Sequence, residues 1–212
     1  MFSRTISRAA STLVIGEHNA SGLNPATLNT ITAATKIGSD VTVLLASDST
    51  AAAAEAAAKV AGVSKVVCAD GPGLKGQLAE AVGPVVEAVA KNLSSTHIFA
   101  PATAFGRNVL PRVAAKLDVQ QVSSIIGIDD EKTFTRAIYA GNALEKLRVN
   151  DDIVCATVQG TAFEAAATEG GSAANDTAEV ATSANSEFIG QELVKSDRPE
   201  LTAAPILELK TP

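Results

Sequence analysis

Four short apolar segments, each followed by a stretch with helical character, dominate the first half of the chain. The segments are apolar at nearly every position, which is typical of strands buried on both faces of a sheet. Successive strand-then-helix units join parallel strands through right-handed crossovers. The sequence therefore predicts an α/β fold, a Rossmann-like, doubly wound and mainly parallel sheet. The predicted strands are Thr12–Glu17, Val41–Ala46, Lys65–Ala69 and Thr96–Ala100, and the predicted helices are Ala26–Ile37, Thr50–Ala61, Gln77–Asn92 and Phe105–Leu117.

The pattern changes after Leu117. A fifth apolar strand is followed by no helical segment, and two further strand-like segments flank the turn dipeptide Gly141-Asn142, which predicts a hairpin. The sheet is therefore expected to gain antiparallel strands at one edge. The segments are Val122–Ile128 for the fifth strand, Thr133–Ala140 and Ala143–Val149 for the hairpin, and Asp152–Val158 for a further strand.

The remaining sequence is richer in small and polar residues. Ala165–Asn185 predicts an irregular, mobile connection. Glu187–Lys195 fits either one short amphipathic helix or an extended arm, and Ser196–Leu201 is polar, contains proline and is typical of a linker. Pro205–Leu209 resembles the start of another apolar strand. We expect an extended C-terminal tail after the sheet domain.

The first ten residues are basic and rich in hydroxyl side chains. They carry Arg4 and Arg8, and no acidic residue precedes Glu17, which is typical of a mitochondrial presequence. A secretory signal would need a continuous apolar stretch here. An unstructured N-terminus that happens to be basic is the alternative. The predicted division is a presequence over residues 1–10, a Rossmann-like domain over residues 11–185, and a tail and linker over residues 186–212.

Composition excludes several classes of function. The 212 residues carry a net charge of −6, so the basic surface of a nucleic-acid-binding protein is not expected. No apolar run is long enough for a bilayer crossing, and so membrane insertion is not expected. Cys68 and Cys155 lie far apart inside apolar runs, which favours two small buried hydrophobic residues in a reducing compartment over a disulfide or a metal pair. With two histidines in the chain, a His-rich metal site is improbable.

Ligands of doubly wound sheets bind at the carboxyl ends of the strands. A nucleotide phosphate would need several glycines at the start of a helix, where backbone N–H groups can reach it. The glycines in these loops form no GxGxxG motif, and turns explain them better. The loops are His18–Asn24 with Gly22, Ser47–Thr50, Asp70–Gly76 with Gly71, Gly73 and Gly76, and Pro101–Arg107 with Gly106.

The histidines and arginines predict no catalytic site. His18 follows the first strand and could be a base or a ligand, but no paired Ser, Cys or Asp is identifiable by spacing, which favours a polar loop residue. His97 opens an apolar strand and is interpreted as structural. Arg107 and Arg112 lie five residues apart on one predicted helix, and so they are expected to make separate surface or interface contacts.

Three further segments are interpreted as loops. Asp129–Glu131 and Asp151–Asp152 are short acidic turns without the alternating ligand spacing of an EF-hand, so solvated loops explain them without calcium. Gly170–Ser172 could be a backbone nest for an anion, but a flexible connector explains it better. We predict no catalytic, cofactor-binding or metal-binding residues, and no enzymatic activity.

Several stretches, in order along most of the chain, resemble the α subunits of the electron transfer flavoprotein family. The resemblance implies a soluble electron carrier of the mitochondrial matrix that pairs with a β subunit. In that family FAD accepts electrons from acyl-CoA and related dehydrogenases and passes them to a membrane-bound quinone reductase, and AMP lies on the β subunit. The stretches are Thr12–Ile15, Leu28–Thr35, Ala104–Asn108, Leu110–Leu117, Ile138–Leu144, Gly160–Ala167, Gly170–Ser172 and Ser196–Leu201.

The C-terminal end departs from the family pattern. In the family, the linker that matches Ser196–Leu201 leads into a second domain whose first strand ends in a Gly-Gly-Arg-Gly segment, and the FAD contacts lie there and beyond. Pro205–Leu209 stands in the place of that strand, so no FAD residue of the family carries over to this sequence. We expect a chain truncated before the FAD-binding domain, with β-subunit contacts between Thr133 and Leu201.

Two other functions remain as alternatives. A free-standing adenine-nucleotide-binding module of the universal-stress type shares the parallel topology, although the glycine-poor loop after Ala100 argues against it. A small hydrolase would need a nucleophile elbow of GxSxG form, which the sequence does not contain.

Overall fold

A nine-stranded sheet forms the centre of the part of the chain that the computed structural model describes, namely residues 10–38, 40–179 and 186–192. The strand order is β11-β5-β4-β1-β6-β10-β7-β8-β9, parallel from β11 to β7 and antiparallel from β7 to β9. β2 and β3 form a separate two-stranded sheet. The strands are β1 Ser11–Ile15, β2 His18–Asn19, β3 Gly22–Leu23, β4 Asp40–Ser47, β5 Lys65–Asp70, β6 His97–Pro101, β7 Gln121–Ile128, β8 Thr133–Ile138, β9 Ala143–Arg148, β10 Val154–Val158 and β11 Ala174–Thr177.

Helices cover both faces of the parallel part. Side chains of successive strand residues point to opposite faces, so Val14 joins one apolar cluster while Leu13 and Ile15 join the other. The first cluster contains residues of α1 and α2, and the second contains residues of α3 and α4. This arrangement explains why the strands are apolar throughout, and it confirms the predicted doubly wound fold. The helices are α1 Pro25–Thr35, α2 Ala51–Ala58, α3 Ala79–Asn92 and α4 Ala104–Lys116.

Local signals set the ends of α1. The Asn24 side chain accepts a hydrogen bond of 2.9 Å from the Ala26 N–H, and Pro25 occupies the first helical position, where a missing N–H is harmless. Gly38 follows the helix with a φ of 76°, a left-handed conformation that glycine adopts readily. In α3, Pro84 is the sixth residue, and Ala79–Asn92 nevertheless forms one helix.

Strand β10 is inserted between two strands that precede it in the chain. β10 lies between β6 and β7 and runs parallel to both, so the antiparallel additions at this edge are the β8–β9 hairpin alone. The hairpin is held by the buried Phe134, whose ring lies edge-on to Phe99 with the ring centroids 6.3 Å apart. The hairpin prediction is therefore confirmed, with its turn at Tyr139–Gly141.

Residues 165–179 return across the molecule to the opposite edge of the sheet. The Ala166 N–H donates to the Leu28 carbonyl, and the Gly171 N–H donates to the Lys59 carbonyl. Ala174–Thr177 then pairs with β5 as an exposed edge strand. The prediction of an irregular connection is wrong for this strand.

Several predicted segments lie outside the described residues. They are residues 1–9 of the presequence, residues 180–185 of the connection, the end of Glu187–Lys195, and all of Ser196–Leu201 and Pro205–Leu209. The described residues 186–192 form neither helix nor strand.

Candidate functional site

The reversal of strand order in the sheet marks the place where a ligand of this fold would bind. The chain moves outward from β1 to β4 and β5, and then crosses back to β6 on the other side of β1. The loops that follow β1 and β6 therefore diverge and leave a crevice between their carboxyl ends. We call this place the switch point.

The molecule's own side chains meet across the switch point. The Thr103 hydroxyl, at the N-cap of α4, donates a hydrogen bond of 2.6 Å to the Glu17 carboxylate. The backbone of Glu17 is fixed from the other side, because its N–H donates to the Thr27 hydroxyl at 3.0 Å and its carbonyl accepts from the same hydroxyl at 2.9 Å. A carboxylate thus occupies the helix N-terminus where a phosphate would otherwise be favoured.

The glycine in the loop before α4 serves packing. A Cβ on Gly106 would lie 1.9 Å from the Pro101 carbonyl oxygen, so only glycine lets α4 approach the end of β6 this closely. The loop after β5 also packs onto the domain, because Leu74 is buried, and it forms a short 3₁₀ segment over Pro72–Gln77.

His18 lies at the carboxyl edge beside the switch point, in the two-residue strand β2, and its ring is buried. Its Nδ1 lies 3.1 Å from the Gly16 carbonyl oxygen, and its Nε2 lies 3.3 Å from the Gln77 amide nitrogen. Burial lowers the pKa of His18, against the opposing effect of the carboxylates of Asp70, Asp48 and Glu17.

His97 has a structural role, as predicted. Its Nε2 lies 2.7 Å from the Glu131 carbonyl oxygen, and its Nδ1 lies 2.9 Å from the Thr96 hydroxyl. A carbonyl can only accept, so Nε2 carries the proton in the neutral ring. Burial lowers the pKa of His97. The histidine links β6 to the turn before β8.

The predicted arginines do not converge. Arg112 pairs with Glu80 of α3 at 2.6 Å between Nη2 and Oε1, and Arg107 is exposed elsewhere on α4. The acidic turns are also used structurally, because the Asp151 carboxylate accepts from the Gln120 N–H and Asp130 accepts from the Lys132 N–H. Among the described residues, no group of His, Cys, Asp and Glu side chains could hold a metal ion.

A shallow cavity of 310 Å³ beside the amino end of β7 is lined by charged side chains of both signs. Its lining includes Arg136 and Arg148 together with Asp151. The Arg136 guanidinium is paired with Glu145 at 2.5 Å.

Gly170–Ser172 forms a backbone contact rather than an anion nest. A Cβ on Gly171 would lie 2.2 Å from the Val60 carbonyl oxygen, which shows how closely this connection passes the end of α2. Both cysteines are buried and free, as predicted, and burial raises the pKa of Cys155 to about 12. In the part of the chain that the structure describes, no helix has the length and apolar character that crossing a bilayer requires.

The hairpin and the segment 186–192 carry the exposed large apolar side chains of the described residues. Tyr139 and Leu144 are 79% and 69% exposed at the tip of the hairpin, and Ile189 is 97% exposed on the segment 186–192. β9 is an edge strand, and β8 is its only partner strand within the described ranges. Exposed edges and apolar side chains of this kind are typical of surfaces that a partner covers.

The fold and the switch point define a doubly wound α/β domain in which the side chains of Glu17 and Thr103 meet at the expected ligand crevice. The sequence model of the electron transfer flavoprotein domain matches residues 12–184, and the chain belongs to this family. The match supports the family interpretation over the universal-stress alternative.

Individual relatives agree with the family. The electron transfer flavoprotein subunit alpha of Pseudomonas aeruginosa is 52% identical over 196 residues, which cover 92% of this chain and 63% of that protein. Probable mitochondrial alpha subunits include that of Caenorhabditis elegans, which is 46% identical over 203 residues, covering 95% of this chain and 61% of that protein. The mitochondrial alpha subunit of Dictyostelium discoideum is 43% identical over 210 residues, covering 92% of this chain and 59% of that protein. The chain therefore spans about three fifths of the length of these relatives.

Proposed function

We propose that the chain supplies the N-terminal domain of the α subunit of an electron transfer flavoprotein and contributes contacts to the β subunit. The observation that carries this proposal is the hairpin, which extends a well-packed sheet with an open edge strand and an apolar tip. The match to α subunits over most of the chain supports it.

The hairpin turn has the geometry of an interaction site. Tyr139, Ala140 and Gly141 have φ values of 51°, 55° and 91°, so three successive residues are left-handed. A left-handed conformation costs a non-glycine residue about 1–2 kcal/mol. Such strain tends to persist at functional positions. Tyr139 and Leu144 both lie at this end of the hairpin, and a partner surface covering both would remove two large apolar side chains from water.

FAD belongs to the complete heterodimer in this proposal, and AMP to the β subunit. The described residues do not fit FAD, because Glu17 and Thr103 occupy the switch point and the carboxylates of Asp48 and Asp70 line the same edge and would repel a pyrophosphate. The chain is therefore proposed as a subunit of an electron carrier and not as an enzyme. Acyl-CoA dehydrogenases and the quinone reductase would meet it only through the complex, with no role for nucleic acid or membrane insertion.

The proposed location is the mitochondrial matrix. Mitochondrial relatives exist alongside the bacterial one, and the acid-free, arginine-containing residues 1–10 fit a presequence. Fusion of residues 1–10 to a fluorescent protein tests this location, and diffuse cytosolic fluorescence would contradict it. In the proposed division, residues 11–185 form the sheet domain and residues 186–212 the tail and linker.

Co-expression with a tagged electron transfer flavoprotein β subunit tests the partner proposal. The 212-residue chain is expected to co-purify with the β subunit. Leu144→Glu, which places a charge on the apolar tip, should lower recovery at least about tenfold, the effect of about 1.4 kcal/mol of binding free energy. Ala52→Glu, on the exposed side of α2, is the matched control and should leave recovery unchanged.

Equal recovery of the two variants would remove the hairpin from the interface. A parallel deletion of residues 186–212 tests the tail, and unchanged recovery would remove the tail from the interface. The isolated chain should also purify without flavin absorbance. Flavin bound at one molecule per chain would contradict the proposal that this chain does not hold FAD by itself.

A further inference from the structure

The segment 186–192 is held against the body of the domain by one aromatic ring. A Cβ on Gly76 would lie 2.3 Å from Cδ2 of Phe188, so the Phe188 ring fills the space that a side chain at position 76 would take. The next residue, Ile189, is almost completely exposed. The contact between Phe188 and Gly76 therefore anchors the segment, which we call the arm.

The loop that carries Gly76 is fixed at its two ends by different means. At the first end, the Gly71 N–H donates to the Ser47 carbonyl and Leu74 is buried in the core. At the second end, Gly76 and Gln77 are both left-handed, with φ values of 73° and 50°. The Gln77 side-chain amide donates to the His18 carbonyl at 3.2 Å and approaches His18 Nε2 at 3.3 Å. His18 therefore holds the end of the loop on which the arm rests.

The hydrogen bonds around His18 are consistent with one protonation state only. The carbonyl of Gly16 can only accept, so Nδ1 carries the proton of the neutral ring. The carbonyl of His18 likewise requires the NH₂ group of Gln77, which then donates to the unprotonated Nε2. If Nε2 also carried a proton, two hydrogen-bond donors, Nε2–H and the NH₂ group of Gln77, would point at each other. The Gln77 amide would have to turn, and it would lose its bond to the His18 carbonyl.

The charged groups that face His18 stabilise its protonated form once it forms. Asp70 follows β5, Asp48 follows β4 and Glu17 follows β1, and all three carboxylates act on the ring from the same edge of the sheet. Burial works in the opposite direction and dominates, so that the pKa of His18 lies below its usual value. The ring is therefore neutral at neutral pH and takes up its proton only as the pH falls below the usual His pKa of about 6.5.

We propose that His18 and Gln77 form a pH-sensitive latch for the arm. In neutral solution the Gln77 amide holds the loop and Phe188 rests on Gly76. Protonation of His18 Nε2 displaces the amide, releases the end of the loop, and frees the arm with its apolar side chains Phe188 and Ile189. The buried Leu74 and the Gly71 contact keep the rest of the loop in place.

A single tryptophan reports the state of the arm, because the chain contains none. In the full chain carrying Phe188→Trp, emission should shift to longer wavelength and acrylamide quenching should rise as the pH is lowered from about 7.5 through and below the ordinary His pKa of about 6.5, since burial lowers the pKa of His18. Far-UV circular dichroism should stay native over this range, and the change should reverse on return to neutral pH.

Two histidine variants in the Phe188→Trp background separate the latch from general acid effects. His18→Gln removes the titrating ring, and the emission should become independent of pH. His97→Gln removes the other buried histidine, and the response should be kept. A flat response with both histidines present, a response that survives His18→Gln, or a response that His97→Gln abolishes would each overturn the proposal.

Discussion

The hydrogen bond between Thr103 and Glu17 should be a measurable contribution to stability, since it joins the loops on the two sides of the switch point. Glu17→Ala removes the carboxylate but leaves both backbone bonds of residue 17 to Thr27 in place. Thr103→Val removes the hydroxyl and keeps the shape of the side chain. The double variant completes a cycle in which effects unrelated to the pair cancel.

The geometry sets the expected size of the coupling. The two oxygens lie 2.6 Å apart, a short distance typical of a hydroxyl bound to a charged acceptor. Hydrogen bonds to charged groups contribute about 1.5–3 kcal/mol, and because both residues are half-buried we expect about 1–2 kcal/mol here. The single substitution Thr103→Val should lower the free energy of unfolding by more than this coupling, because the same hydroxyl also accepts a hydrogen bond from the Gly106 N–H at the start of α4.

Urea unfolding followed by circular dichroism measures the four free energies, provided that the denaturant slope is the same for all four proteins. A coupling of about 1 kcal/mol corresponds to a shift of about 2–4 °C in the thermal midpoint of a domain of this size. The exposed pair Lys59 and Glu55 on α2 is the control, and its cycle should give a smaller coupling. A coupling between Glu17 and Thr103 no larger than that of the control would refute the closed switch point.

Three further outcomes test other parts of the structure. Gly106→Ala should destabilise the chain by at least about 2 kcal/mol in urea unfolding, because its Cβ would overlap the Pro101 carbonyl, whereas Gly190→Ala meets no neighbouring atom and should be neutral; equal stability of the two would contradict the close packing of α4. Cys155, whose pKa is raised to about 12 by burial, should react with thiol reagents only after unfolding, and native labelling seen by mass spectrometry would be inconsistent with its burial. The lowered pKa of His97 means that the folded state binds fewer protons than the unfolded state. The contribution of His97 to stability is therefore complete above the unfolded pKa and is lost as the pH drops below about 6.5. His97→Gln should flatten this part of the stability profile, and an unchanged slope would exclude the ring as its source.

The parallel half of the fold could be predicted because its strands are buried on both faces. Val41–Ala46 contains only apolar residues and one threonine, and the structure packs its alternate side chains into the two clusters on opposite faces of the sheet. No such signal exists for β11, because Ala174–Thr177 is fully exposed and is held by backbone hydrogen bonds to β5. The position of β10 between β6 and β7 is equally a matter of tertiary pairing, which the local sequence does not encode.

The contacts at the carboxyl edge could not be predicted for a related reason. Glu17 and Thr103 are 86 positions apart, and only the crossing of the chain at the switch point brings them together. His18 was expected in a loop because it follows a strand and precedes a polar segment. Its buried ring contacts the side chain of Gln77, which is 59 positions away in a loop with two left-handed residues. The sequence locates the edge where these residues lie but not their partners.

The insertion of β10 between β6 and β7 has a consequence for the synthesis of the chain. β7 and the hairpin leave the ribosome before Val154–Val158, yet their place in the sheet exists only after β10 has paired with β6. The first four parallel strands can assemble as they emerge. About thirty residues of β structure then remain with unpaired edges until β10 has been synthesised, and such exposed edges favour association with other chains. A substitution in the centre of β10 would prolong this wait, and its main effect would be on the yield of folded protein instead of on the finished surface.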